Sequence, residues 1–264
     1  MKKLLVLLSA LFICTVAVAH TIEWYVDGSL YQTTTCNSGD NVTPPTLAAR
    51  YGYHLADWKV EYTKLEYIES TGTQYIDLGT TINSTDIFDI EVAWTYLGSN
   101  CGFFVSKEET NWLQGRYIGI VHYDQQKGFY NRGVTVPYSG SMPTVLSPVV
   151  NEKNTIHWQP VTNQITFNGV IYTGASGCYC QTTNSFTSAN APYIFATNQA
   201  GTATQFDYAK LYSFRRQNSS GVLLQDLIPV LDSNGVPCLF DKVTEQYFYN
   251  QGTGQFVAGP VLNE

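Results

Sequence analysis

The residues best placed to do chemistry lie in TDIFDIEVAW, residues 85–94, where a single position separates Asp89 from Glu91. On a β-strand, positions i and i+2 face the same way, so the two carboxylates stand side by side. Retaining glycoside hydrolysis needs two carboxyl groups ~5–5.5 Å apart, one as nucleophile and one as general acid. A strand supplies them from the outer members of an E-x-D-x-E row. Glu91 holds the acid's place and Asp89 the middle one, but Ile87 stands where the nucleophile belongs. Asp86 is out of phase by one residue and faces the other side. The segment therefore reads as an exterior strand face, with Phe88, Ile90 and Val92 turned to a core, and not as a catalytic pair.

Other catalytic arrangements are weaker still. The chain has no G-x-S-x-G elbow, no HExxH pair and no phosphate-binding glycine loop followed by Lys and a helix. The four histidines, His20, His54, His122 and His157, form no close-spaced pair, and Cys178-Tyr-Cys180 has no second pair to complete a metal site. A Cys–His nucleophile, from His122 or His157 with Cys101 or Cys178, stays open without local support. Asp232-Ser-Asn-Gly with Asp241 offers oxygen ligands for calcium, although a plain turn explains it. The expectation is no enzyme, no metal and no cofactor.

Binding chemistry is better represented. Aromatic residues make up 14% of the chain, including 19 tyrosines and five tryptophans. In ETNWLQGRYIGIVHYDQQKGFYNRG, residues 109–133, rings alternate with amide and guanidinium groups. Rings stack on sugar faces while flanking donors fix hydroxyls, so Trp112, Tyr117, Tyr123, Asn131 and Arg132 are the candidate ligand-binding residues.

The elements that position these residues are short strands. Ile22, Trp24 and Val26 alternate with Glu23 and Tyr25, and Asp27-Gly28 then turns the chain into 29–35. Asn168-Gly169 stands between Ile165–Phe167 and Val170–Tyr172, and further turns lie in DSNGV at 232–236 and NQGTGQF at 250–256. Asn-Gly and Asp-Gly between alternating runs are hairpin signals. No segment keeps a 3.6-residue apolar period for three turns, so the spacing predicts an all-β sandwich or barrel, and the alternating runs with their paired turns point to packed antiparallel sheets, an antiparallel β-sandwich.

Lys2 and Lys3 precede the apolar run LLVLLSALFICTVAV, and Ala17-Val18-Ala19 offers a cleavage site; residues 1–19 read as a secretory signal peptide. The run is shorter than the ~20 residues of a membrane span. Phe12 and Ile13 are bulky where a lipidated Cys14 would need small neighbours. The expected product starts at His20 and is soluble and exported, in or on a bacterial envelope. Loss of the two lysines takes the formal charge from −7 to −9. So acidic a chain lacks the clustered Lys and Arg of a nucleic-acid binder. Five cysteines remain, Cys36, Cys101, Cys178, Cys180 and Cys238; an odd number leaves at least one unpaired or intermolecular, and the pairing is open.

Two stretches resemble known families. HTIEWYVDGSLYQTTTCNSGDNVTPPTLAARYGYHLADWKV, with Trp24, Asp27-Gly28, Ser38-Gly39-Asp40, Pro44-Pro45, Gly52-Tyr53 and Trp58, resembles the first half of a Listeria–Bacteroides repeat, a small β-grasp-like module. Leu55 and Asp57 replace that family's Phe and Gly, and the second half is absent. KLEYIESTGTQYIDLG at 64–79 and the tail at 209–260 resemble LamG-like, concanavalin A-like jelly rolls. Within that fold, laminarinase-type glycoside hydrolases carry the complete acidic row. The resemblances imply three parts: 1–19 signal peptide, 20–60 partial repeat module and 61–264 jelly roll. They imply a non-catalytic surface protein for adhesion or carbohydrate binding, its partner a glycan or surface protein. The alternatives are a divergent glycoside hydrolase and a structural assembly component whose open edge strand pairs with neighbours.

Overall fold

A computed structural model describes residues 2–4, 6–10, 20–26, 29–36, 42–46, 53–55, 59–60, 62–98, 100–110, 115–123, 126–132, 146, 148–162, 164–173, 178–180 and 185–262. They are strands and turns, with one 3₁₀ turn at Pro160–Thr162. Among the described residues no helix is long and apolar enough to cross a membrane. The chain divides into two compact units, Met1–Thr63 with Leu231–Val236, and Lys64–Val230 with Pro237–Glu264.

The smaller unit is built on the hairpin His20–Val26 and Ser29–Cys36, paired from His20↔Cys36 to Val26↔Ser29. Its alternation has the physical consequence expected of a half-buried strand. Ile22 and Trp24 are buried with Cys36, while Thr21 and Glu23 are exposed. Trp24 Nε1 donates to Thr34 Oγ1 at 2.8 Å, which satisfies the polar end of a ring that is otherwise core. On the other edge of His20–Val26 lies Val6–Ala10, antiparallel, which in turn pairs parallel with Lys59–Val60. Lys2–Leu4 runs parallel to Tyr53–Leu55. The segment with the composition of a leader thus contributes strands in this structure. Trp58 lies outside the described residues.

The larger unit is a sandwich-like arrangement of sheets. The first sheet runs Val170–Thr173, Gln164–Phe167, Asn154–Gln159, Ile87–Trp94, Tyr208–Gln217, Leu223–Leu231, Pro237–Asp241 and Gln246–Phe248. Ile87–Trp94 is antiparallel to both of its neighbours. The second sheet orders Cys178–Cys180, Gln126–Arg132, Tyr117–Tyr123, Gly102–Lys107, Ala196–Gln199 and Thr202–Thr204. Two of its pairings are parallel, Gly102–Lys107 with Ala196–Gln199 and Gln126–Arg132 with Cys178–Cys180.

The core forms where the sheets face one another. Phe88 of the first sheet lies 5.1 Å, ring to ring, from Phe104 of the second, and 6.0 and 6.1 Å from Trp158 and Phe214 on the flanking strands. All four rings are fully buried. Tilted pairs of this kind add roughly 0.5–1.5 kcal/mol each beyond the area they bury. At the edge, Asn168 (φ 49°) and Gly169 (φ 79°) turn Gln164–Phe167 into Val170–Thr173. Positive φ at both central residues is the two-residue hairpin turn that Asn-Gly favours.

A buried ion pair ties the loop before Ile87–Trp94 to the neighbouring strand. Arg216 lies 2.8 Å from Asp86 Oδ2, and its guanidinium also donates to Thr80 Oγ1 and the Thr81 carbonyl. Each of the three guanidinium nitrogens has an acceptor, which helps the charge sit in the interior.

Candidate functional site

The outer face of the first sheet carries a group of exposed polar side chains around the acidic strand. Alternation in Ile87–Trp94 buries Phe88, Ile90 and Val92 and leaves the Asp89 and Glu91 side chains each 40% exposed. Register then decides their company. Asp89 lies between His157 on one flanking strand and Arg215 on the other; Glu91 lies between Thr155 and Ser213. Together they border an open depression of about 280 Å³, which the carboxylates share with His157, Arg215 and the hydroxyls of Thr155, Thr166 and Ser213.

Each strand carboxylate has a basic partner. Asp89 Oδ1 meets His157 Nδ1 at 2.7 Å, and Lys153 Nζ donates to Glu91 Oε2 at 3.2 Å. Lys153 also sits 5.1 Å above the Tyr212 ring, which meets Tyr67 edge-on at 5.4 Å, and Lys210 lies 4.8 Å over Tyr67. Burial, followed by the negative charge of Glu66, Tyr67, Glu69 and Glu91, pushes the Tyr212 hydroxyl above its usual range. The Tyr212 phenol is therefore held in its protonated, neutral form.

This geometry suits hydrogen bonding better than bond cleavage. Both carboxylates are open to water and faced by basic groups, without the apolar enclosure that tunes a general acid. Ser213 and His157 are on opposite sides of the central strand, so two strand spacings, ~10 Å, separate their backbones and no Ser–His relay forms. Cys101 is buried ahead of a strand in the second sheet, whereas His157 is exposed on the outer face of the first with Asp89.

The Asp232 turn is held by its own backbone, as Asn234 and Val236 N–H donate to Asp232 Oδ1. The Asp241 carboxylate likewise accepts from the Asp226 and Val243 amides and from Thr244 Oγ1. Among the described residues, no three His, Cys, Asp or Glu side chains gather into a metal site.

The aromatic segment proposed from sequence lies on the second sheet. Tyr117–Tyr123 and Gln126–Arg132 form an antiparallel pair whose register sets Tyr117 opposite Arg132 and Ile118 opposite Asn131, with Tyr123 at the far end against Gln126. Tyr117 is only 2% exposed and packs with Val105 and Val121, which leaves its ring no broad face for a sugar. Trp112 lies outside the described residues, as do the side chains of Tyr123, Asn131 and Arg132. The residues not singled out from sequence are Thr155, Thr166, Ser213 and Arg215, and His157 was weighed only as a partner for cysteine. Alternation in NTIHWQ, residues 154–159, was a signal that Thr155 and His157 face outward.

The fold is an all-β, sandwich-like arrangement whose first sheet carries an open depression on its outer face. No family model matches the chain, and no curated protein matches it.

Proposed function

We propose that the chain is an exported, non-catalytic protein of the cell surface or envelope that binds carbohydrate through the outer face of its larger unit. The carrying observation is the open depression beside Ile87–Trp94, which is lined by Asp89, Glu91, His157 and Arg215 together with Thr155, Thr166 and Ser213. Sugar hydroxyls both donate and accept, so a mixed lining of fixed donors and acceptors fits them. The leader-like N-terminus, the partial Listeria–Bacteroides repeat and the LamG-like stretches support export and surface display. Adhesion through a glycan or surface protein is the corresponding role.

The test is a glycan array probed with the purified secreted chain and with Ser213→Trp, which puts a large side chain into the depression. Capture by the native chain and loss in the variant support the reading. Hydrolysis of a polysaccharide, abolished by Glu91→Gln, would instead favour the glycosidase alternative, which rests on both carboxylates facing that depression.

A further inference from the structure

We infer that the depression takes an acidic sugar, a uronate, whose carboxylate is held by Arg215. The inference rests on the glycan-binding reading and specifies the ligand. Arg215 lies opposite Asp89 in register, yet Asp89 meets His157 at 2.7 Å on the other side. Glu91 is held by Lys153 at 3.2 Å. The carboxylate that Arg215 does approach, Asp226, is 3.9 Å away and gives its other oxygen to Lys242 at 2.9 Å.

Three carboxylates, Asp89, Glu91 and Asp226, thus face three fixed cations, Lys153, Lys242 and Arg215, together with the His157 imidazole. The guanidinium is the group with the longest ion-pair distance, and its side chain is 46% exposed. Glu66 and Glu69 lie farther along the same outer face, beside Tyr212, where Glu69 is opposite Lys210 in register.

A guanidinium fork matches a carboxylate with two parallel N–H···O bonds. Ser213, two positions along the same strand, is its nearest hydroxyl neighbour, while Thr155 and Thr166 stand two and three strand spacings away, where further units of a longer sugar chain would pass. A volume of about 280 Å³ is at the small end for ligand pockets and suits one sugar unit of a longer chain passing over the open face.

The experiment is calorimetric titration of the full secreted chain with oligogalacturonate, oligomannuronate and hyaluronan oligosaccharide. Each is paired with its carboxyl-reduced, neutral form, and dextran sulfate is a further arm. At least one uronate should bind about tenfold more tightly than its neutral form, the effect of one charge-assisted contact. Arg215→Ala should erase that difference, and Arg215→Lys should restore only part of it, because an ammonium lacks the fork. Asp89→Asn should strengthen uronate binding by removing a like charge.

Equal affinity for acidic and neutral forms, or an undiminished preference in Arg215→Ala, overturns the inference. Preference for dextran sulfate over every uronate overturns it in favour of a sulfated ligand. If none of the uronates binds while the array captures neutral glycans, the inference fails and the glycan reading stands. Capture of no glycan of either kind removes both.

Discussion

Asp89 and His157 meet across two neighbouring strands, Oδ1 to Nδ1 at 2.7 Å, with 40% and 57% of their side chains open to water. Their contact is set by register alone, since 68 positions separate them in sequence. Exposed pairs of this kind contribute only ~0–1 kcal/mol, because solvent screens the charges and ordering both side chains costs entropy. A double-mutant cycle with Asp89→Ala and His157→Ala, followed by urea denaturation, should give a coupling within that range. His157→Ala should then alter ligand binding without altering the fold. A coupling above ~2 kcal/mol would make the pair a structural element and weaken its assignment to the site.

Asp86 and Arg216 should behave in the opposite way. Their side chains are 5% and 9% exposed, and the guanidinium also holds Thr80 and Thr81. Asp86→Ala leaves a buried charge without its carboxylate, at a cost of ~3–5 kcal/mol. Urea denaturation of the variant should show a shifted midpoint with an unchanged slope. A loss below ~1 kcal/mol would mean that water reaches the guanidinium.

Glu108 and Arg116 make a pH-sensitive contact between the ends of Gly102–Lys107 and Tyr117–Tyr123. Arg116 Nε and Nη2 donate to the two Glu108 oxygens at 3.1 and 3.0 Å, and the Arg116 backbone N–H donates to Oε2 at 2.9 Å. These side-chain bonds first, and the backbone bond second, hold the Glu108 carboxyl below its ordinary range. A depressed carboxylate contributes stability that is fully present above its unfolded pKa of ~4.3 and is lost as pH falls through the lower folded value. Hydrogen exchange at the Arg116 amide should therefore be slow at neutral pH and lose protection, beyond the intrinsic pH trend, only in acid below ~4. Glu108→Gln should abolish that step, and a step centred near neutral pH would contradict the assignment.

Much of the fold was legible because its signals are local. Ile22 and Trp24 alternate into the core of the small hairpin, Phe88, Ile90 and Val92 do so in the acidic strand, and Asn168-Gly169 makes the expected turn. Asp86 was legible as out of phase with Asp89, but its partner Arg216 is 130 positions away and no spacing announces it. The parallel pairing of Gly102–Lys107 with Ala196–Gln199 is equally non-local, and only the assembled sheet brings those strands together.

The site was less legible for the same reason. Composition drew attention to rings in 109–133, and Tyr117 among them is core, because aromatic residues suit strand interiors as well as sugar faces. The outer-face group joins Asp89, His157 and Arg215 from three strands, so its residues become neighbours only through register.

The most direct test of carbohydrate binding through this face is a glycan array probed in parallel with the native chain, Ser213→Trp and Trp112→Ala. Binding at the depression predicts strong capture of at least one glycan by the native chain, at least a tenfold loss of apparent affinity in Ser213→Trp, and retention in Trp112→Ala. Capture of no glycan, or undiminished capture by a folded Ser213→Trp variant, would contradict it.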